Sequence, residues 1–186
     1  MVIASFPEKH ANRLSENLKK VLLSVSFADD KPRPINSGLP FSITAAEGLV
    51  MVEQMKALGM AAFTMDGKMP VRSPEDPLFI VAPSLGKVSV GEKRSFAVRR
   101  LKATASVEDV FINSIADVRI NALAGLEIIA NAKHQQAKTP LRVFQIMLFP
   151  DGGGYVLMTG RVGVMHAESY IPKFRATSKT YKTTTK

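Results

Sequence analysis

The chain has 186 residues, 46% of them hydrophobic, enough to bury a core, which excludes disorder throughout. It has no cysteine, so disulfides, zinc–thiolate sites and thiol catalysis are excluded, and no apolar run approaches the roughly 20 residues of a membrane-spanning helix. The net charge of +9 is not matched by nucleic-acid signatures: tryptophan is absent, aromatic content is 7%, and no aromatics interleave with the basic cluster.

In chain order, KHANRLSENLKKVLL over 9–23 predicts a helix, with Ala11, Leu14, Leu18, Val21 and Leu22 on one stripe. Ser24–Phe27 alternates like a short strand. ADDKPRPINSG over 28–38 has two prolines, a glycine and no periodicity, as a linker does. The chain opens directly on an apolar stretch, without the basic region, apolar core and cleavage site of a signal peptide, as a sequence begun mid-protein would.

From Leu39 the texture turns to strands. LPFSI, GLVMVEQM and AAFTMDG predict three short ones, the last ending in the Asp66-Gly67 turn signal. The three prolines of 68–77 predict a loop. LFIVAPSL over 78–85 is nearly continuous and predicts a strand covered on both faces. VGEKRSFAVRRLKATA predicts a helix with Phe96, Val98, Leu101 and Ala105 inward and Lys93, Arg94, Arg99, Arg100 and Lys102 on a solvated face. VEDVFINSIADVRINALAGLEIIANAKHQ predicts two strands around Asn121–Gly125. LRVFQIMLF and YVLMTGRVGVM predict two more, and ESYIPKFRATSKTYK a short helix and a ragged strand. The short connections leave no room for crossover helices, so most pairs are expected antiparallel and the fold class α+β.

FPDGGGYVLMTG, residues 149–160, raises the question of a phosphate loop. Such a loop opens a helix, whereas Tyr155–Met158 are strand formers. The Walker lysine and hydroxyl are missing, and no GxGxxG occurs. Pro150–Gly153 suits a chain reversal, so a hairpin between 141–149 and 155–164 is expected.

No catalytic, metal or cofactor site is nominated. Of the three histidines, His166 is near Glu168, but no HExxH pattern or third ligand accompanies them. Ala82-Pro83-Ser84-Leu85-Gly86 lacks the first glycine of a nucleophile elbow and reads as a strand end and turn. Glu75–Asp76 and Glu108–Asp109 have no spacing that assigns acid–base roles. The nine methionines, including Met51, Met55, Met60, Met65 and Met69, are a biased feature; core filling is the default and a groove for a flexible partner the alternative.

The end of the chain supplies the candidate partner-binding residues Lys173, Arg175, Lys179 and Lys182, with no acid from Ser169 onward. They read as exposed charges: a solvated end, or attraction to an acidic protein or an anionic surface.

Gly125-Leu126-Glu127, Val143-Phe144-Gln145, Gly152–Tyr155, and Phe174 with Ser178-Lys179-Thr180-Tyr181 resemble, in that order, the motifs of the PsbP-like fold family. LPFSITAAEGLV resembles its opening strand pair, though Glu47 stands where proline is commoner. The resemblance spans about residues 39–182. It implies an α/β/α sandwich, an antiparallel sheet of about six strands between helices. Members include the photosystem II subunit PsbP, DcrB-like envelope lipoproteins and a small Ran-binding protein, mostly non-enzymatic. The resemblance therefore implies a non-catalytic bacterial envelope protein, periplasmic or secreted, acting as a binding or assembly module, without cofactor and with an unknown protein partner or anionic surface. A cytoplasmic protein-binding regulator and a small hydrolase are the alternatives. The expected organisation is a helix and short strand over 1–30, a linker over 31–38, and one domain over 39–186. The 2–27 segment repeats the order of 160–181, so it is either the tail of a preceding copy or a helix packing on the single domain.

Overall fold

The structure is a computed structural model that describes residues 39–86 and 91–184. The helix read over 9–23, the strand after it and the linker lie outside the described residues.

Alternation of apolar and polar residues dictates the longest elements. In Leu123–His134 (β6), Leu126, Ile128, Ala130 and Ala132 are buried and their neighbours are not. In Val156–Gly163 (β8), Val156, Met158, Gly160 and Val162 are the buried set. These strands join Val107–Ile120 (β5) and Pro140–Leu148 (β7) in an antiparallel meander. Ala61–Thr64 (β3) and Leu78–Pro83 (β4) pair with each other, and β4 pairs with β8, Phe79 facing Gly160. The resulting antiparallel sheet has seven strands in the order β2-β3-β4-β8-β7-β6-β5, where β2 is Val50–Met51. Phe41–Ser42 (β1) and Lys182–Thr183 (β9) form a separate two-stranded sheet.

The sheet exceeds the expected six strands by one, and GLVMVEQM yields less strand than expected. Only Val50–Met51 is extended; Glu53–Leu58 closes into a 3₁₀ turn, with Lys56 bonded to Glu53 and Gly59 at φ 71° ending it. The 150–154 turn makes the expected hairpin, with Leu148 facing Val156 and Leu141 facing Gly163. Gly153 and Gly154 adopt φ 87° and 82°, which glycine reaches without steric cost. A strand, not a helix, follows the glycines, so the phosphate-loop geometry is absent.

Two helices cover opposite faces, giving an α+β sandwich. Lys93–Lys102 (α1) carries the chain from β4, mid-sheet, to β5 at the edge. Glu92 caps it by accepting bonds from the Arg94 and Ser95 amides. Its inward residues are Ala97 and Leu101, flanked by half-buried Phe96 and Val98; Ala105, expected on the stripe, lies past the helix end. Ala97 and Leu101 rest on Leu126, Ile128, Ala130, Val143 and Met147. Ala167–Lys179 (α2) covers the other face, where Phe174 meets Phe79 with ring centroids 5.3 Å apart and Phe144 at 6.2 Å. That face holds the larger apolar cluster, including Phe63, Val81, Ile146 and Met158.

Candidate functional site

A ten-residue helix is about 15 Å long and cannot span seven strands spaced about 4.8 Å apart. Because α1 must reach β5, it settles over β6 and β7 and leaves the β4–β8 part of its face open. The expectation that β4 is covered on both faces is therefore corrected. Phe79 and Val81 are fully buried toward α2, whereas Ile80 and Ala82 are only half-buried toward the α1 side. The near-continuous apolar run of β4 hides this asymmetry.

The open region is a groove of about 640 Å³. Cross-strand neighbours form its floor: Leu78 opposite Arg161, Ile80 opposite Thr159, Ala82 opposite Leu157. One wall is Arg100 with the turn after α1, Ala103–Ser106; the other is Met60 with Met69–Val71. Met60 and Met69 thus line a groove, while Met51, Met55 and Met65 do not. The floor spans about 13 Å from Leu157 to Arg161, at about 3.3 Å per residue.

Arginines stand at both ends of that floor. Arg161 donates to the Pro74 carbonyl at 2.6 Å, and burial pulls its pKa below the ordinary arginine value, with Asp76 opposing. It remains a cation, with further N–H donors beyond the one given to Pro74. Arg100 lies 6.0 Å from the Tyr155 ring centre, near Leu157. Among the described residues, no carboxylate, histidine or lysine lines the groove.

Gln145 fixes the wall. It is completely buried on β7, opposite Thr159 of the floor, and donates Nε2–H to the Ala97 carbonyl of α1 at 2.9 Å. Its Oε1 has no partner. This bond sets where α1 sits and hence where the groove begins. A glutamine amid Val-Phe-Gln-Ile-Met was the available sequence signal, since a lone polar residue in an apolar run implies a bonded partner.

The basic residues read from the sequence sit in different settings. Arg175 is corrected from an exposed charge to a clamp: it donates from Nε and a terminal nitrogen to the Glu127 carboxylate at 2.9 and 2.6 Å, tying α2 to β6. Those bonds raise its pKa, more than burial lowers it. Lys173, two residues away and so about 200° around the helix, sits 4.8 Å from the Tyr170 ring centre. Lys179 is exposed one turn beyond Arg175, and Lys182 is exposed on β9. Among the described residues no cluster of three potential metal ligands occurs. Ser84 is spent on a turn: its hydroxyl donates to Gly86 and accepts from the Tyr155 amide. Glu108 and Asp109 pair with Lys138 and Lys133. Among the described residues no helix is long and apolar enough to cross a membrane.

No family model and no curated protein matches the sequence. Solved structures do match the fold. LpqN, involved in cell envelope biogenesis in Mycobacterium tuberculosis, aligns at TM-score 0.55 with 9% identity over 82% of this chain and 86% of that one. The Saccharomyces cerevisiae Ran-binding protein Mog1p aligns at 0.54 with 7% identity over 77% of this chain and 90% of that one. The fold is an α+β sandwich, shared with LpqN and Mog1p. Cyanobacterial PsbP from Synechocystis aligns more loosely, at 0.44 with 6% identity over 78% and 82%. At such identities the likeness concerns the fold alone.

Proposed function

We propose that this chain is a non-catalytic binding or assembly module of the bacterial envelope, and that it holds its partner in the groove over β4 and β8. The open α1-side face of those strands carries this reading. An apolar floor about 13 Å long, with Arg100 at one end and Arg161 at the other, complements an extended apolar segment of a protein flanked by acidic side chains. The methionines of the far wall adapt to irregular side chains. A lining without carboxylate or imidazole favours binding over hydrolysis, because no acid–base pair faces the floor. The involvement of LpqN in cell envelope biogenesis and the Ran binding of Mog1p fit the same class of use.

A photo-reactive residue placed at Thr159 in the native cell tests the reading. The expected result is one discrete protein adduct from Thr159, none from the exposed hairpin residue Asp151, and loss of the Thr159 adduct in Ile80→Asp. Equal adducts from both positions, or none from Thr159, contradict it. Fractionating cells that express the full gene product tests the envelope location: recovery with the cytoplasm contradicts it.

A further inference from the structure

The two edges of the large sheet differ. Strand β2 is two residues long, a blunted edge, whereas β5 has fourteen residues and, among the described residues, β6 as its one neighbour. Long unpaired edges present a row of free backbone donors and acceptors, and sheets ordinarily shorten, bulge or cover them. The first part of β5 is protected in this way, with register shifts between Glu108 and Phe111 and between Ile112 and Ser114, and Asp109 at φ 51°. From Ser114 to Ile120 the register with β6 is unbroken, so the outer side of those seven residues is regular and, among the described residues, unpaired.

We infer that the regular edge ending at Ile120 carries the seam of a two-fold dimer, in which Ala116–Ile120 of the β5 strands of two copies of this chain pair antiparallel about Val118 and join their sheets. The segment is self-complementary. Val118 and Ile120 pack toward the α2 side and Ile115 toward the α1 side, so by alternation Asp117 and Arg119 share the α1 side. A dyad at Val118 places Asp117 opposite the second copy's Arg119, twice, with Val118 against its own counterpart and Ala116 against Ile120. Shifting the dyad to Asp117 or to Arg119 opposes like charges, and shifting it to Ala116 leaves both charges unmatched. Directly opposed unlike charges stabilise a strand pair and like charges weaken it, so one register is selected. Asp117 and Arg119 are exposed, and neither forms an ion pair among the described residues; Arg119 makes one long bond, to the Ala122 carbonyl at 3.4 Å. So short a seam, Ala116–Ile120, belongs to the small, transient class of interfaces.

Charge exchange in the full chain tests the inference, read by sedimentation equilibrium from about 1 µM to about 1 mM at physiological ionic strength. The wild type is expected to dimerise. Asp117→Arg alone and Arg119→Asp alone each weaken the dimer about tenfold or more, while the double exchange restores it. An equimolar mixture of the two single variants forms a heterodimer, because each then supplies what the other lacks. Thermal melting confirms that these surface variants fold. A wild type that stays monomeric throughout, or a dimer indifferent to the exchanges, overturns the inference.

Discussion

Phe174 of α2 lies flat on Gly160 of β8, so close that a Cβ at position 160 would come within 3.0 Å of its ring. The absence of a side chain there lets the ring reach Phe79 and Phe144 and lock the helix to the sheet. Gly160→Ala is therefore an overpacking substitution and is expected to cost about 1–3 kcal/mol, and Phe174→Ala about 3–5 kcal/mol. Urea denaturation measures both; a Gly160→Ala variant as stable as wild type contradicts the contact.

The Arg175–Glu127 pair changes what neutralising the basic residues does. Lys179→Ala and Lys182→Ala are expected to stay within about 0.5 kcal/mol of wild type. Arg175→Ala is expected to cost about 1–3 kcal/mol, because it strands a Glu127 side chain that is only 13% exposed. A double-mutant cycle with Glu127→Ala separates the pair from simple truncation, and no coupling between the two positions contradicts the clamp.

Gln145 separates the contribution of a buried hydrogen bond from that of volume. Its amide bonds Ala97, yet its oxygen is buried without a partner. Gln145→Met keeps the volume and removes both polar atoms, so its stability is expected to fall within about 1 kcal/mol of wild type, on either side. Gln145→Ala leaves a cavity and is expected to lose about 2–4 kcal/mol. Chemical denaturation of the two variants decides; equal losses would mean that the hydrogen bond, not the volume, matters.

Glu92 links α1 to pH. Its hydrogen bonds to Ser95, and to the Arg94 amide, hold its carboxyl below the ordinary glutamate value. A lowered folded-state pKa means stability that is present above the unfolded value and lost as pH falls through the folded one. Melting temperature should therefore drop on the acid side, below the usual glutamate range, and Glu92→Gln should flatten that part of the profile. An acid limb identical in the variant contradicts a capping role.

The alternating β6 and β8, the apolar runs of β5 and β7, the hairpin at 150–154 and the amphipathic α2 were legible in local residue type and spacing. The residues that carried the resemblance take packing roles: Glu127 holds Arg175, Phe174 lies on Gly160, and the Tyr181 and Phe41 rings meet at 5.3 Å. The groove was not legible. Ile80, Ala82, Leu157 and Thr159 look like core residues of central strands, and their partial exposure follows from where α1 crosses the sheet. That position is set by a long-range bond from Gln145 and by the strand order, neither of which local pattern encodes. The pairing of Arg175 with a residue 48 positions earlier is hidden for the same reason.

The groove over β4 and β8 is tested most directly by amide NMR of the full chain titrated with two peptides that share a Leu/Ile core of four residues, one flanked by glutamates and the other by lysines. Shift changes are expected to be confined to Leu78–Pro83, Val156–Arg161, the end of α1 with the turn after it, and the wall of Met60 and Met69–Val71. The glutamate-flanked peptide is expected to bind about tenfold or more tightly, and Arg100→Gln with Arg161→Gln to remove that preference. Changes centred on Lys173, Lys179 and Lys182, or equal binding of both peptides, contradict binding in the groove.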